Sequence, residues 1–147
     1  MPPFRRRRLL LALGSALLVP AAARAEVEAD LPQSDRAGIR AVIEAQMQAF
    51  RRGDDDAAFG CASPMIQGMF ATPDRFMAMV RGLYAPVHQP RSVEFGTVVE
   101  IDGRLVQKVE LVGPDGAPAL ALYTMIRGPD GWRIDGVALT ESEKPAV

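Results

Sequence analysis

Ser92-Val93-Glu94-Phe95-Gly96-Thr97-Val98-Val99-Glu100-Ile101-Asp102-Gly103 is the stretch on which the fold turns. Upstream of it the apolar residues recur at helical spacing. From Ser92 the period becomes two, with Val93, Phe95, Thr97, Val99 and Ile101 alternating with polar or small partners, the pattern of a half-buried strand. Asp102-Gly103 is a tight hairpin signal. A second strand is expected over 105–112 and a third over 118–127. A fourth runs over 132–140. Gly113-Pro114-Asp115-Gly116 and Gly128-Pro129-Asp130-Gly131 separate them, two copies of one turn chemistry with Pro at the second position and Gly at the fourth. In the last strand Trp132 and Ile134 share one parity, Val137 and Leu139 the other. Gly136 sits at the switch, so a bulge is expected there.

Working backwards, Ile39, Val42, Ile43, Met47 and Phe50 line one face of an amphipathic helix, with Arg40, Glu44, Gln48 and Arg51 opposite. Ser34 reads as its N-cap, with Asp35 in the first turn, and Gly53 as its stop. Asp54-Asp55-Asp56 reads as the cap of a short second helix. A calcium loop would want a closing Glu where Met65 stands. Ser63-Pro64 and Thr72-Pro73 open two further helices by an N-cap followed by Pro at the first helical position. The first carries Met65, Ile66, Met69 and Phe70; the second carries Phe76, Met77, Met79, Val80, Leu83 and Tyr84. Pro86 and Pro90 bracket His88 and end the helical half. Helices first and hairpin-linked strands second make an α+β domain. The expected architecture is N-terminal helices packed on a curved antiparallel four-stranded meander, enclosing a cone-shaped cavity.

Outward to the N-terminus, residues 1–25 carry Arg5, Arg6, Arg7, Arg8 and Arg24 and no acid. An apolar run of about a dozen residues and a small-x-small site at Ala23-Arg24-Ala25 complete the signature of a secretory signal peptide. Cleavage is expected between Ala25 and Glu26. The run is well short of the ~20 residues that span a bilayer, so no permanent membrane anchor is expected. Arg6-Arg7-Arg8-Leu9-Leu10 also fits a degenerate twin-arginine signal, and both export routes stay open. The expected plan is a signal peptide over 1–25, a polar entry arm over 26–33, one domain over 34–141 and a tail over 142–147. The destination is the periplasm or the exterior.

The whole chain has 147 residues, 17 basic and 18 acidic. Without the leader and its five arginines, 122 residues remain with 12 basic and 18 acidic side chains, a net charge of −6. A mildly acidic mature chain argues against nucleic acid or anionic lipid as partner. One Cys and one His cannot supply a four-ligand zinc site or an internal disulfide. Cys61 reads as a small buried apolar residue. No metal site and no cofactor is expected.

The strong catalytic motifs are missing: no Gly-x-Ser-x-Gly, no phosphate-cradling glycine loop, no His-Glu-x-x-His, no Cys-x-x-Cys. The residues that retain chemical interest are few. His88 is the one imidazole for proton transfer near neutral pH. Tyr84 and Tyr123 carry hydroxyls that a cavity could use, and Met79 would soften its wall. Asp135, just before the presumed bulge, becomes a credible general base if the bulge turns it inward. Tyr84, His88, Tyr123 and Met79 are therefore the candidate pocket, with Asp135, Tyr123, Tyr84 and His88 the acid/base set of an alternative, catalytic reading.

Five pieces together carry a family resemblance: Gln46-Met47-Gln48-Ala49-Phe50, Asp55-Asp56-Ala57-Ala58-Phe59, Ala62-Ser63-Pro64, Phe76-Met77-Ala78-Met79-Val80 with Tyr84 and Pro90, and Gly131-Trp132-Arg133-Ile134-Asp135-Gly136-Val137. Over residues 35–140 the chain resembles the exported bacterial family catalogued as domain of unknown function 4864. The last strand and the element order also resemble the nuclear transport factor 2-like, cystatin-like cone domains. The chain departs from the first family's usual aromatic residue at Cys61, and has His88-Gln89 where an aromatic-basic pair is expected. The resemblance implies a conical fold with an apolar pocket and homodimerisation through the sheet. It implies no reaction, because such folds host isomerases, dehydratases and non-catalytic modules alike. The expectation is an exported binding or accessory module that takes a small apolar ligand or a protein partner. The alternative is a small isomerase- or dehydratase-type pocket enzyme.

Overall fold

The computed structural model describes residues 26–145, so the signal peptide expected over 1–25 lies outside the described residues. The first helix, α1 (Gln33–Arg52), buries Ile39, Ile43, Met47 and Phe50 along one stripe. Gly53, left-handed at φ 67°, closes it by returning its N–H to the Ala49 and Phe50 carbonyls. Its start differs from expectation, because Ser34 lies inside the helix and caps nothing. The Pro32 carbonyl accepts from the N–H groups of Asp35 and Arg36. The Arg36 guanidinium turns back to the carbonyls of Ala29 and Leu31, at 2.7 and 3.2 Å. Pro32 arrives with φ already at −55°, so the turn forms without a side-chain acceptor.

Three short helices follow with the side-chain caps that the sequence suggests: α2 (Asp55–Gly60) under Asp54, α3 (Pro64–Phe70) under Ser63, and α4 (Pro73–Leu83) under Thr72. One more turn, α5 (Ala85–His88), was not anticipated. Pro86 does not end the helical half there; it occupies the first turn of α5, where a missing N–H costs nothing.

The sheet is antiparallel with its strands in chain order. It has five strands, a correction to the four expected: β1 (Val27–Glu28), β2 (Ser92–Ile101), β3 (Arg104–Val112), β4 (Pro118–Gly128) and β5 (Gly131–Thr140). The extra one is β1, pairing Val27 with Glu100 and Glu28 with Val99. Two residues are too few to show a period, so the pairing had no sequence signal. Asp102 and Gly103, both at positive φ, make the tight β2–β3 turn.

Two irregularities shape the sheet. In β2 the register slips between Phe95 and Val98. The buried Gln107 amide fills that gap, donating to the carbonyls of Gly96 and Lys108 at 2.9 Å each. In β5 Thr124 pairs with Gly136 and Met125 with Ile134, which leaves Asp135 as the extra residue. That bulge resets the parity, so Trp132, Ile134, Val137 and Leu139 all pack on the same core as the helices. At the free edge of β5 the chain before α3 runs alongside: Ser63 N–H donates to Ile134 C=O, and Ile134 N–H to Cys61 C=O, at 2.8 and 2.9 Å. Among the described residues no helix is long and apolar enough to cross a membrane.

Candidate functional site

Between the helices and β5 lies an apolar cavity of about 280 Å³. α4 supplies Phe76, Met79, Val80 and Leu83, the residues its amphipathic phase turns inward, and α3 supplies Ile66, Met69 and Phe70. The floor is Ile134 and Val137, brought to one side by the bulge at Asp135. α3 has no buried residue of its own. Met69 and Leu83 stay 65% and 73% exposed, so the cavity opens between α3 and α4.

Only two lining residues bring a polar side chain. The Gln46 amide donates to the Ala58 carbonyl at 3.1 Å. The Tyr84 hydroxyl donates to the Val137 carbonyl at 3.1 Å, on the terminal strand of the sheet. Both donors are engaged with backbone.

Of the residues singled out from sequence, Tyr84 and Met79 line this cavity. His88 and Tyr123 are not among its lining residues. His88 packs its ring against Phe50, centroids 5.6 Å apart. Burial lowers its pKa, and the nearby Arg81 charge adds to the effect. Tyr123 is fully buried, and its hydroxyl has no hydrogen-bond partner. Burial alone pushes its pKa above the ordinary tyrosine value. Its ring sits between Gln107 and Val137 in the sheet register, deep under the helices.

Asp135 is buried by the bulge, but it does not line the cavity. Ser63 Oγ donates to its Oδ1 at 2.6 Å, and Arg104 pairs with Oδ2. Ser63 Oγ also accepts the Ile66 N–H as the cap of α3. Sequence reasoning missed Ser63 as a partner of Asp135, since the two stand 72 positions apart. The one signal was the inward-turning bulge, which required some donor to meet the carboxylate. Cys61 is half-buried, and desolvation raises its thiol pKa against the lowering effect of Arg133 and Arg52. No group of three or more His, Cys, Asp or Glu able to hold a metal exists among the described residues.

The fold and the cavity define a single-sheet α+β protein with an apolar pocket walled by its helices. The chain belongs to the family described as domain of unknown function DUF4864, whose model matches residues 32–147. No curated protein and no solved structure matches it.

Proposed function

We propose that this protein is an exported binding or accessory module, non-catalytic, that holds a small apolar or amphipathic molecule in the cavity between α3, α4 and β5. The observation that carries this reading is the lining itself: apolar except for Gln46 and Tyr84, each of which donates a hydrogen bond to a backbone carbonyl. Apolar surface left facing a cavity is a standing source of binding free energy, about 25 cal/mol per Å² removed from water. The acid/base alternative draws less support, because Asp135 is held by Ser63 and Arg104 away from the cavity wall. The order of helices and sheet, with the pocket between them, supports placing the fold with the nuclear transport factor 2-like, cystatin-like cone domains. A homodimer through the sheet belongs to the same reading.

A neutral apolar fluorophore, N-phenyl-1-naphthylamine, tests the site, its naphthyl ring entering the cavity and its phenyl ring lying at the open mouth. It should brighten on titration with the protein and do so far less with Met79→Trp, whose indole fills the cavity. Equal brightening in a folded Met79→Trp variant overturns the assignment of the site. Turnover of any screened metabolite that disappears in Asp135→Asn or Tyr123→Phe, with melting unchanged, would favour the enzyme. Export is tested separately by intact mass, where protein from the exported fraction should begin at Glu26.

A further inference from the structure

Resting on that reading of the cavity, we infer that its ligand is a single alkyl chain of about ten carbons carrying an anionic head, inserted tail first. Three observations converge on this class. Capacity comes first. A ~150 Å³ apolar cavity takes one benzene. By the same scale 280 Å³ holds roughly ten to twelve carbons.

The second observation is how few polar groups the wall holds, Gln46 and Tyr84 alone among the lining side chains. A ligand whose charged group lay deep would find at most the rest of the Gln46 amide and the Tyr84 oxygen, too little to replace its hydration. Gln46 and Tyr84 each already donate one hydrogen bond, to Ala58 and Val137. The polar end therefore stays at the mouth between Met69 and Leu83. Flexible Met69 and Met79 suit a chain with many conformers better than one rigid ring.

The third is the charge toward the Met69 end of that mouth, where Phe70 of α3 meets Phe76 of α4. α3 carries no charged residue at all. On α4, Arg81 is turned toward α2, where it pairs with Asp55 at 3.4 Å. Asp74 stands five positions before Met79, on the far side of the helix from the lining row. Arg75 stands four before Met79, one turn along the same side. It is exposed, and no side-chain ion pair engages it among the described residues. Its long stem can lie along apolar surface while the guanidinium meets an anion at the rim.

The experiment is displacement of N-phenyl-1-naphthylamine from the full chain by linear carboxylates of six to sixteen carbons, at low salt. Affinity should rise about fourfold per methylene and level off near ten to twelve carbons. Decanoate should compete about threefold better than decyltrimethylammonium, the size of an exposed ion-pair effect, and Arg75→Gln should erase that difference. Indifference to head charge, or an unchanged preference in Arg75→Gln, overturns the anionic head. A flat chain-length series beside tight binding of naphthalene overturns the chain. Failure of every apolar probe, the fluorophore included, overturns the cavity reading itself.

Discussion

Ser63 and Asp135 share a 2.6 Å hydrogen bond that joins the start of α3 to the bulge of β5. The same hydroxyl oxygen accepts the Ile66 N–H, so one atom caps a helix and solvates a buried carboxylate. The bulge therefore fixes where α3 stands over the cavity.

Replacing Ser63 by Ala removes both roles. A lost hydrogen bond to a charged group is worth about 1.5–3 kcal/mol, and a lost cap about 1 kcal/mol. A destabilisation of about 2–4 kcal/mol in urea melts is expected. Arg104→Met should cost less, about 1 kcal/mol, because the arginine is largely exposed. A loss below ~0.5 kcal/mol for Ser63→Ala would show that the two residues are not coupled in solution.

Gly38 faces the indole of Trp132 so closely that a Cβ would stand 2.8 Å from Cδ1. Gly38→Ala should therefore destabilise by about 1–3 kcal/mol, overpacking outweighing the better helix propensity of alanine. Trp132→Ala, truncating a half-buried aromatic, should cost about 2–4 kcal/mol. Combined, they should be markedly sub-additive, because the indole that clashes has gone. A double-mutant cycle by denaturant melting reads this directly, and simple additivity would refute the contact.

Tyr123→Phe should raise stability by about 1 kcal/mol, since it deletes a buried hydroxyl with no partner. The phenol also responds to alkali. Its folded pKa lies above the unfolded value of about 10. The fold's stability is thus unaffected by this ionisation below that pH and falls as pH climbs above it. Wild type should lose stability above pH ~10 more steeply than Tyr123→Phe. A destabilised Tyr123→Phe would mean that the hydroxyl has a partner in solution.

His88 responds in the opposite direction. Desolvation and the Arg81 charge depress its folded pKa below the ordinary 6.5. The neutral ring is the stable form in the fold, so stability is full above pH ~6.5 and falls as pH drops through the folded value. His88→Gln should flatten that decline relative to wild type, even though it loses the ring contact with Phe50. Melting temperatures at pH 7.5, 6.5 and 5.5 for both proteins make the comparison. Parallel curves would show that His88 does not contribute.

What the sequence made legible is what repeats or punctuates locally. The change of period at Ser92, the turn at Asp102-Gly103 and the caps at Asp54, Ser63 and Thr72 each show in a few consecutive residues. The bulge was legible too, because four apolar residues of β5 could reach one core only if a residue were inserted among them. Relationships between distant segments were not. Asp135 read as a candidate general base in sequence because its donors, Ser63 and Arg104, arrive from other elements. Tyr123 read as a pocket residue for its hydroxyl, but a residue type cannot tell the filled part of an interior from the open part. Tyr84 was placed at the cavity, whereas its engagement with Val137 depended on a strand edge 53 positions away.

That strand edge has a bearing on how the chain avoids its own kind. A terminal strand with a row of free N–H and C=O groups is a template for stacking copies into cross-β assemblies. Here Cys61 and Ser63 occupy both groups of Ile134, and the Tyr84 hydroxyl occupies the Val137 carbonyl. The opposite margin ends in a strand of two residues, whose continuation is tethered by Arg36 at the Ala29 carbonyl. Each margin is interrupted partway along its length. Strand-by-strand growth between copies is disfavoured, and association is left to the faces of the molecule, where side chains rather than backbone choose the partner.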